Sequence, residues 1–427
     1  MNNYNAMNRE SKKQQLRQRI VTSETSPKNR KPEKRKDEDS EEIVRRAHNK
    51  VRRRRLFLLF VILAILAGGG YAGYRYLKYN QFTAYEDVWS VPLNDGSFVN
   101  YIDFGNNFLK YTKDGVSYVD SQGKTIWVQS YEMKTPIAAV NGDFAAIADQ
   151  QGNKIYICDK NGNQGVATTT LPILRVTVSA KGVAGVIMED ASATYVNLFQ
   201  KDGTKLDIVV KSTLAKDGYL MDISLSPDGT QLMCSYMYLL HGTLQCKVVF
   251  YNFSEIGKSA VNRLVGGFDE DYFKDSMVSK VQFLDETWSC AFANNSLTFF
   301  SSKNLASPVV VKQEMVEEEI NSICYSSRYV GAIVRNTEGA NEYRMDVYRG
   351  NGDKVSSFEF DYPYIHADID GDNVLLYNED SCEVYHISGK KRFAATFGET
   401  ITKVTNGRFP NTLIVTGPNS MREIKLK

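Results

Sequence analysis

Histidine is almost missing from this chain. Four occur in 427 residues, at His48, His241, His366 and His386, and none lies at metal-ligand spacing from a cysteine or carboxylate. A zinc site and an HExxH hydrolase are therefore not expected. There is no GxSxG elbow and no Walker phosphate loop. Ser-x-x-Lys occurs twice, as SQGK from Ser121 and SGKK from Ser388. A Ser/Lys hydrolase needs that pair on a helical turn so that the lysine points at the serine, and both copies here fall in Gly-containing hairpin turns. No catalytic residue and no cofactor is assigned.

Cysteine is limited to six: Cys158, Cys234, Cys246, Cys290, Cys324 and Cys382. An even number invites disulfides in an exported region, yet all six fall inside predicted strands and no spacing recurs. Cys234 and Cys246 flank one hairpin and would bridge only if its register set them face to face. Otherwise cysteine behaves as a small buried side chain.

Long apolar runs are limited to one. VRRRRLFLLFVILAILAGGGYAGYRY begins at Val51, and no charge interrupts Leu56 to Tyr74. At ~1.5 Å per residue this run spans roughly 28 Å, a bilayer's hydrocarbon thickness. It is longer than the core of a cleavable signal, and fifty-five residues precede it. No comparable helix exists to bury it in a soluble core. Tyr71, Tyr74, Tyr76 and Tyr79 follow, where an interfacial aromatic belt would lie. The sequence therefore predicts an uncleaved transmembrane helix over 56–77.

Charge sets the expected orientation. Residues 1–55 hold 18 Lys/Arg against 8 Asp/Glu, whereas the whole chain is only +2, so the remainder is acidic. Basic residues flanking a span stay cytoplasmic. This predicts a single-pass plasma-membrane protein, N-terminus inside and C-terminal domain outside. Arg52, Arg53, Arg54 and Arg55 are expected at the anionic inner-leaflet surface. Nucleic-acid binding is not assigned to them. Ala64, Gly68 and Ala72 share one helix face, and Gly69 and Gly73 form GxxxG, a pattern that lets two helices approach as a homodimer. Residues 1–38 are too polar to fold and are read as a disordered cytoplasmic tail. A juxtamembrane basic helix is read over 39–55, from a cap near Ser40, and a stalk over 78–86.

From Tyr85 onward helical periodicity is nearly absent. Strands of five to eight residues alternate apolar and polar positions between turns such as NDG, KDG, NGD, QGN, PDG and DGD. An aromatic strand returns at a spacing close to 38 residues at both ends and about 50 in the middle: KIYICDKNG at 154, YVNLFQKDG at 195, KVVFYNFSEIG at 247, LTFFSSKN at 297, MDVYRGNG at 345 and EVYHISG at 383. Four short antiparallel strands per repeat of about forty residues make one blade of a β-propeller. Seven units are complete, starting at Phe98, and an eighth ends after three strands. The orphan strand DVWSVPL at 87–93 supplies its fourth and would close the ring. The fold class is all-β, an eight-bladed propeller over 87–427 after one transmembrane helix, with seven blades the alternative.

Motifs then suggest a family. LSPDGTQL at 225–232 resembles the SPDG turn of WD-like propellers, and YVDSQGKTIWVQSYE from Tyr118 resembles quinoprotein-type (PQQ-like) repeats. The layout from basic tail through anchor to propeller is similar to an uncharacterised family of anaerobic Gram-positive bacteria, domain of unknown function 5711. That resemblance implies topology and fold and brings no catalytic residues.

Two segments remain as candidate sites. Asp368, Asp370 and Asp372 alternate around Gly371 in ADIDGDNVLLY, a weak calcium-loop pattern. The stretch AAVNGDFAAI at 138–147 reads as the same turn without the extra acids. GGFDEDYFKDSM at 266–277 is the largest insertion, and its Phe268, Tyr272 and Phe273 are candidate interaction residues. The expected function is a protein- or glycan-binding scaffold of the cell envelope, with the partner unidentified. The alternative is an envelope glycan hydrolase or lyase with its site at the central channel.

Overall fold

The computed structural model describes residues 35–93 and 99–427, except the side chains of 35–44, 46–48, 51 and 76–79. The first NDG turn, Phe98, the His48 side chain and residues 1–34 of the tail lie outside the described parts, and Ser40, expected as a helix cap, lies inside a helix. One helix runs from Arg35 to Tyr79. It starts ahead of Ser40 and takes in the end of the segment read as disordered. Its opening residues are mostly Glu, Lys and Arg, which cost little to place in a helix. Within it, Arg52–Arg75 spans 24 residues at a mean hydropathy of 2.2 and buries none of its apolar window. Among the described residues this is the one helix long and apolar enough to cross a membrane. The chain divides into two compact units at Tyr74/Arg75, and each is described by itself.

The second unit is an eight-bladed β-propeller. Each blade is a four-stranded antiparallel sheet. Blades one to seven cover 100–130, 136–168, 173–213, 219–268, 278–315, 320–360 and 366–396 in chain order. Blade eight takes three strands from 403–426, and its outer strand is Tyr85–Pro92 from the start of the unit. Tyr85 pairs with Leu426 and Pro92 with Ser420, with a bulge between Asp87 and Trp89. The orphan strand thus closes the ring, as its position in the sequence predicts. Phe82, just before it, is buried in the seam of blades seven and eight and donates its N–H to the Arg392 carbonyl at 2.6 Å.

Burial follows strand position. In blade five the third strand, Ser296–Ser301, is buried along its whole length, whereas the outer strand Val309–Met315 is at best half-buried. Inner positions are covered on both faces by neighbouring blades, and outer strands meet water. Direction alternates within a blade, so first-to-second and third-to-fourth turns emerge on one face, here called the turn face. Second-to-third turns and blade-to-blade connections emerge on the other, the crossover face. Tyr85 sits beside the C-terminal end of the third strand of blade eight, so the chain joins the propeller on the turn face.

Between each pair of neighbouring blades lies one apolar cluster. The seam of blades seven and eight holds thirteen buried side chains, including Leu375, Phe393 and Val415. The seam that closes the ring, between eight and one, holds three: Phe108, Ile414 and Met421. Apolar burial contributes roughly 1.5–3 kcal/mol per large side chain, so this seam has the least of it.

The six cysteines are reduced and buried. Cys234 lies opposite Val249 and Cys246 opposite Met237, so the hairpin register keeps the two apart and the Cys234–Cys246 bridge does not form. Burial pushes the Cys158 and Cys382 thiols up to about 12, which suppresses the reactive thiolate. A thiol reagent should therefore label none of the six in the native protein and all six in guanidinium, counted by mass spectrometry.

Candidate functional site

Polar chemistry gathers around the inner strand of blade eight, on both of its seams. Lys403, on the inner strand Lys403–Asn406 of blade eight, reaches to both sides. Its Nζ lies 3.2 Å from Oδ2 of Asp103 in blade one and 2.9 Å from Oδ2 of Asp368 in blade seven. Tyr377 donates to the same Asp368 oxygen at 2.9 Å. One ammonium therefore ties three consecutive inner strands. Burial alone would push the Lys403 pKa down, but the two carboxylates outweigh it and the net shift is up. The amine stays a cation and cannot serve as base or nucleophile near neutrality. Asp103 is shifted up, first by desolvation and then by the neighbouring Asp370 and Asp368, with Lys403 opposing.

A counterpart with inverted charge stands in blades three to five. Asp222 lies 3.9 Å from Arg175 and 4.0 Å from Lys280, and accepts the Val281 N–H at 3.0 Å. Desolvation raises its pKa against those partners. Ser224 accepts the Phe283 N–H at 2.9 Å. Inner strands leave backbone N–H groups on the channel edge, and side chains of the preceding blade satisfy them. Asp370 does the same for the Asn406 N–H at 2.9 Å and also accepts from the Thr405 hydroxyl at 2.8 Å.

Above Lys403, on the turn face, a cavity of about 510 Å³ opens between blades eight and one. Its wall includes Asp103, Asn106, Gln122, Asp370 and Arg408, over Phe108 and Ile414. The thin apolar cluster of this seam leaves the room for it. The cavity is polar, and its carboxylates are largely engaged in holding blades together.

The sequence candidates fall as follows. Asp368 is bonded to Lys403 and Tyr377, Asp370 to Thr405 and Asn406, and Asp372 lies 3.4 Å from Arg328. The three carboxylates are turned to separate partners, and among the described residues no group of three His, Cys, Asp or Glu could hold a metal ion. Their loop is a two-residue hairpin turn, Gly371–Asp372, with Gly371 at φ +57°, matching Gly142 at the same φ in the NGD turn of blade two. In the insertion, Phe273 is fully buried and points into the seam of blades four and five rather than to solvent. Phe268 and Tyr272 are half-buried against the same cluster, with Phe268 5.0 Å from the Phe300 ring. The insertion is anchored by its aromatics, and its acids are what it exposes. Arg52 to Arg55, Ala64 and Ala72 are exposed, and a Cβ at Gly68, Gly69 or Gly73 would meet nothing within 4 Å.

Lys403, Asp103 and Asp222 are the residues that sequence reasoning missed. Their partners lie in different repeats, so no local motif marks them. The available signal was a charged residue on an inner strand, as in YIDF, HADID and TKVTN.

Residues 78–426 match the model of a family of unknown function, DUF5711. The chain belongs to that family. No curated protein matches it. Among solved structures it is similar to Sqt1 from Chaetomium thermophilum bound to the N-terminus of the ribosomal protein L10. The TM-score is 0.51 at 12% identity, over 82% of this chain and 100% of that one. A second Sqt1 structure from Chaetomium thermophilum gives 0.53 at 10% identity, over 82% and 99%. The WD40 domain of Neurospora crassa Pan2 is more distant, at 0.40 and 10% identity over 68% and 87%. At such identities the Sqt1 likeness speaks for the fold alone.

Replacing Lys403 by Met leaves Asp103 and Asp368 without their shared cation and should cost about 2–3 kcal/mol in urea unfolding. The pH dependence gives a second check. Because the folded-state pKa of Lys403 is raised, its contribution is complete below the ordinary 10.5 and is lost as pH climbs through the folded value. Melting temperature against pH should show that alkaline loss in the native chain and lack it in the Lys403→Met variant.

Proposed function

We propose that this DUF5711 protein is a binding module of the bacterial cell envelope, a propeller held to the membrane by its N-terminal helix and displayed outside the cytoplasm. The single observation that carries the binding reading is the state of the inner ring. Its charged groups are consumed in ties between blades, which suits a rigid platform better than a reactive centre. A rigid platform loses little entropy when a partner docks. Anchoring rests on the uncharged run from Leu56 and on Arg52–Arg55, which would sit among anionic headgroups. Pairing of two copies through Ala64, Gly68 and Ala72 remains part of the proposal. A glycan-processing enzyme would have to recruit Asp103, Asp368 or Asp370, and each already serves a neighbouring strand.

Topology is tested with tags in intact cells. A C-terminal tag should be cut by added protease while an N-terminal tag survives until lysis. The reverse pattern, or a mature chain starting near Gly73, overturns the anchored arrangement.

A further inference from the structure

The crossover face of blades four to six is one continuous surface with an unusual composition. The insertion 269–277 is joined to its neighbours by hydrogen bonds. Gln313 of blade five donates to the Tyr272 carbonyl at 2.6 Å. Met277 donates its N–H to Asn294 Oδ1 at 2.8 Å, and its carbonyl accepts the Asn294 N–H at 3.1 Å. Val316 N–H reaches the Asn295 carbonyl at 2.9 Å. The insertion, the Asn294–Asn295 turn and the 316–320 connection therefore move as one. The short helix Glu270–Phe273 packs on the strand Thr243–Asn252, whose hairpin tip stands beside it.

This surface exposes both apolar and acidic side chains. Leu239 is 70% exposed, Met315 61%, Leu244 49% and Met277 43%. Around them Asp269, Glu270, Asp271, Asp275, Glu317 and Glu319 are all exposed, and among the described residues none is in an ion pair. Glu318 differs, held by Arg344 through two bonds of 2.7 and 2.8 Å. Lys274 is the one cation of the insertion. Arg335 on the same face is paired with Glu342 at 3.6 Å, and on the turn face of these blades acids alternate with Lys258, Lys303 and Arg328. The acidity of this patch is not needed for folding, since none of these six acids holds a blade.

We propose that the crossover face of blades four to six docks a partner protein through a positively charged segment that also carries apolar side chains. The exposed leucines and methionines gain by leaving water. A neutral or acidic partner would strip water from six carboxylates and return no counter-charge, whereas a basic segment supplies it and is steered in by the field. The strand Tyr85–Pro92 enters the propeller on the opposite face. The inference rests on the binding-module reading and names its face and the chemistry of its partner.

The test places a photo-crosslinking residue at Leu239, at Met315, or at Val261 in the turn-face insertion of blade four, which is 83% exposed, in the full chain in intact cells. Leu239 and Met315 should give discrete adducts to peptides of net positive charge, and Val261 should give none. The combined reversal Asp269→Lys, Glu270→Lys, Glu317→Lys and Glu319→Lys should lower adduct yield about tenfold, as like-charge repulsion at an interface does, with an unchanged melting temperature. No adduct from either position, adducts indifferent to the reversal, or captured peptides that are neutral or acidic would each overturn the proposal. Adducts from Val261 alone overturn the choice of face and leave the binding module standing.

Discussion

Everything in the propeller depends on one pairing, that of the strand Tyr85–Pro92 with the last strand of the chain, Ser420–Leu426. Without it blade eight would have three strands, and a bare sheet edge invites unwanted association. The pairing joins residues more than three hundred positions apart, so it cannot form before the intervening blades bring the ends together. Trp89 adds a directional bond across it, donating to Glu423 at 2.8 Å. Phe82 and the Lys427 carbonyl, which accepts the Thr83 N–H at 2.9 Å, extend the closure beyond the strand itself.

The closing seam has the thinnest apolar cluster, and a buried lysine, Lys403, ties across it to Asp103. Seams within the continuous chain fill with alternating side chains of consecutive repeats. The closing seam is built from the two ends of the unit, and there Lys403 and Asp103 take over part of the work of cohesion, while Asp368 holds the same lysine from blade seven. Such ties fix geometry more than they add stability, because the buried charges must first give up water. The same thinning leaves the polar cavity on the turn face. The cavity thus opens on the face where the chain enters the propeller.

Much of the fold was legible in the sequence because repeats print themselves. The NGD, PDG and DGD turns return where two-residue or four-residue hairpins stand, and the three-stranded eighth unit together with the orphan DVWSVPL pointed to eight blades, with seven the alternative, and to the closure. The Gly371 turn could be told from a calcium loop by its twin at Gly142. Side-chain chemistry was less legible. Pairings such as Lys403 with Asp103 cross hundreds of residues, and no local spacing encodes them. Phe268, Tyr272 and Phe273 looked exposed because they sit among acids. The structure uses the aromatics as an anchor, and only tertiary packing decides which half of such a mixed loop faces water.

Residue-resolved hydrogen exchange tests the closure most directly. If the pairing holds the ring as one cooperative unit, the amides of Glu86 to Val91 that pair with 421–425 will exchange only through global unfolding, with the same protection as inner strands of blades three to five. Exchange of that strand through a separate, low-energy opening, with the remaining blades still protected, would contradict the account.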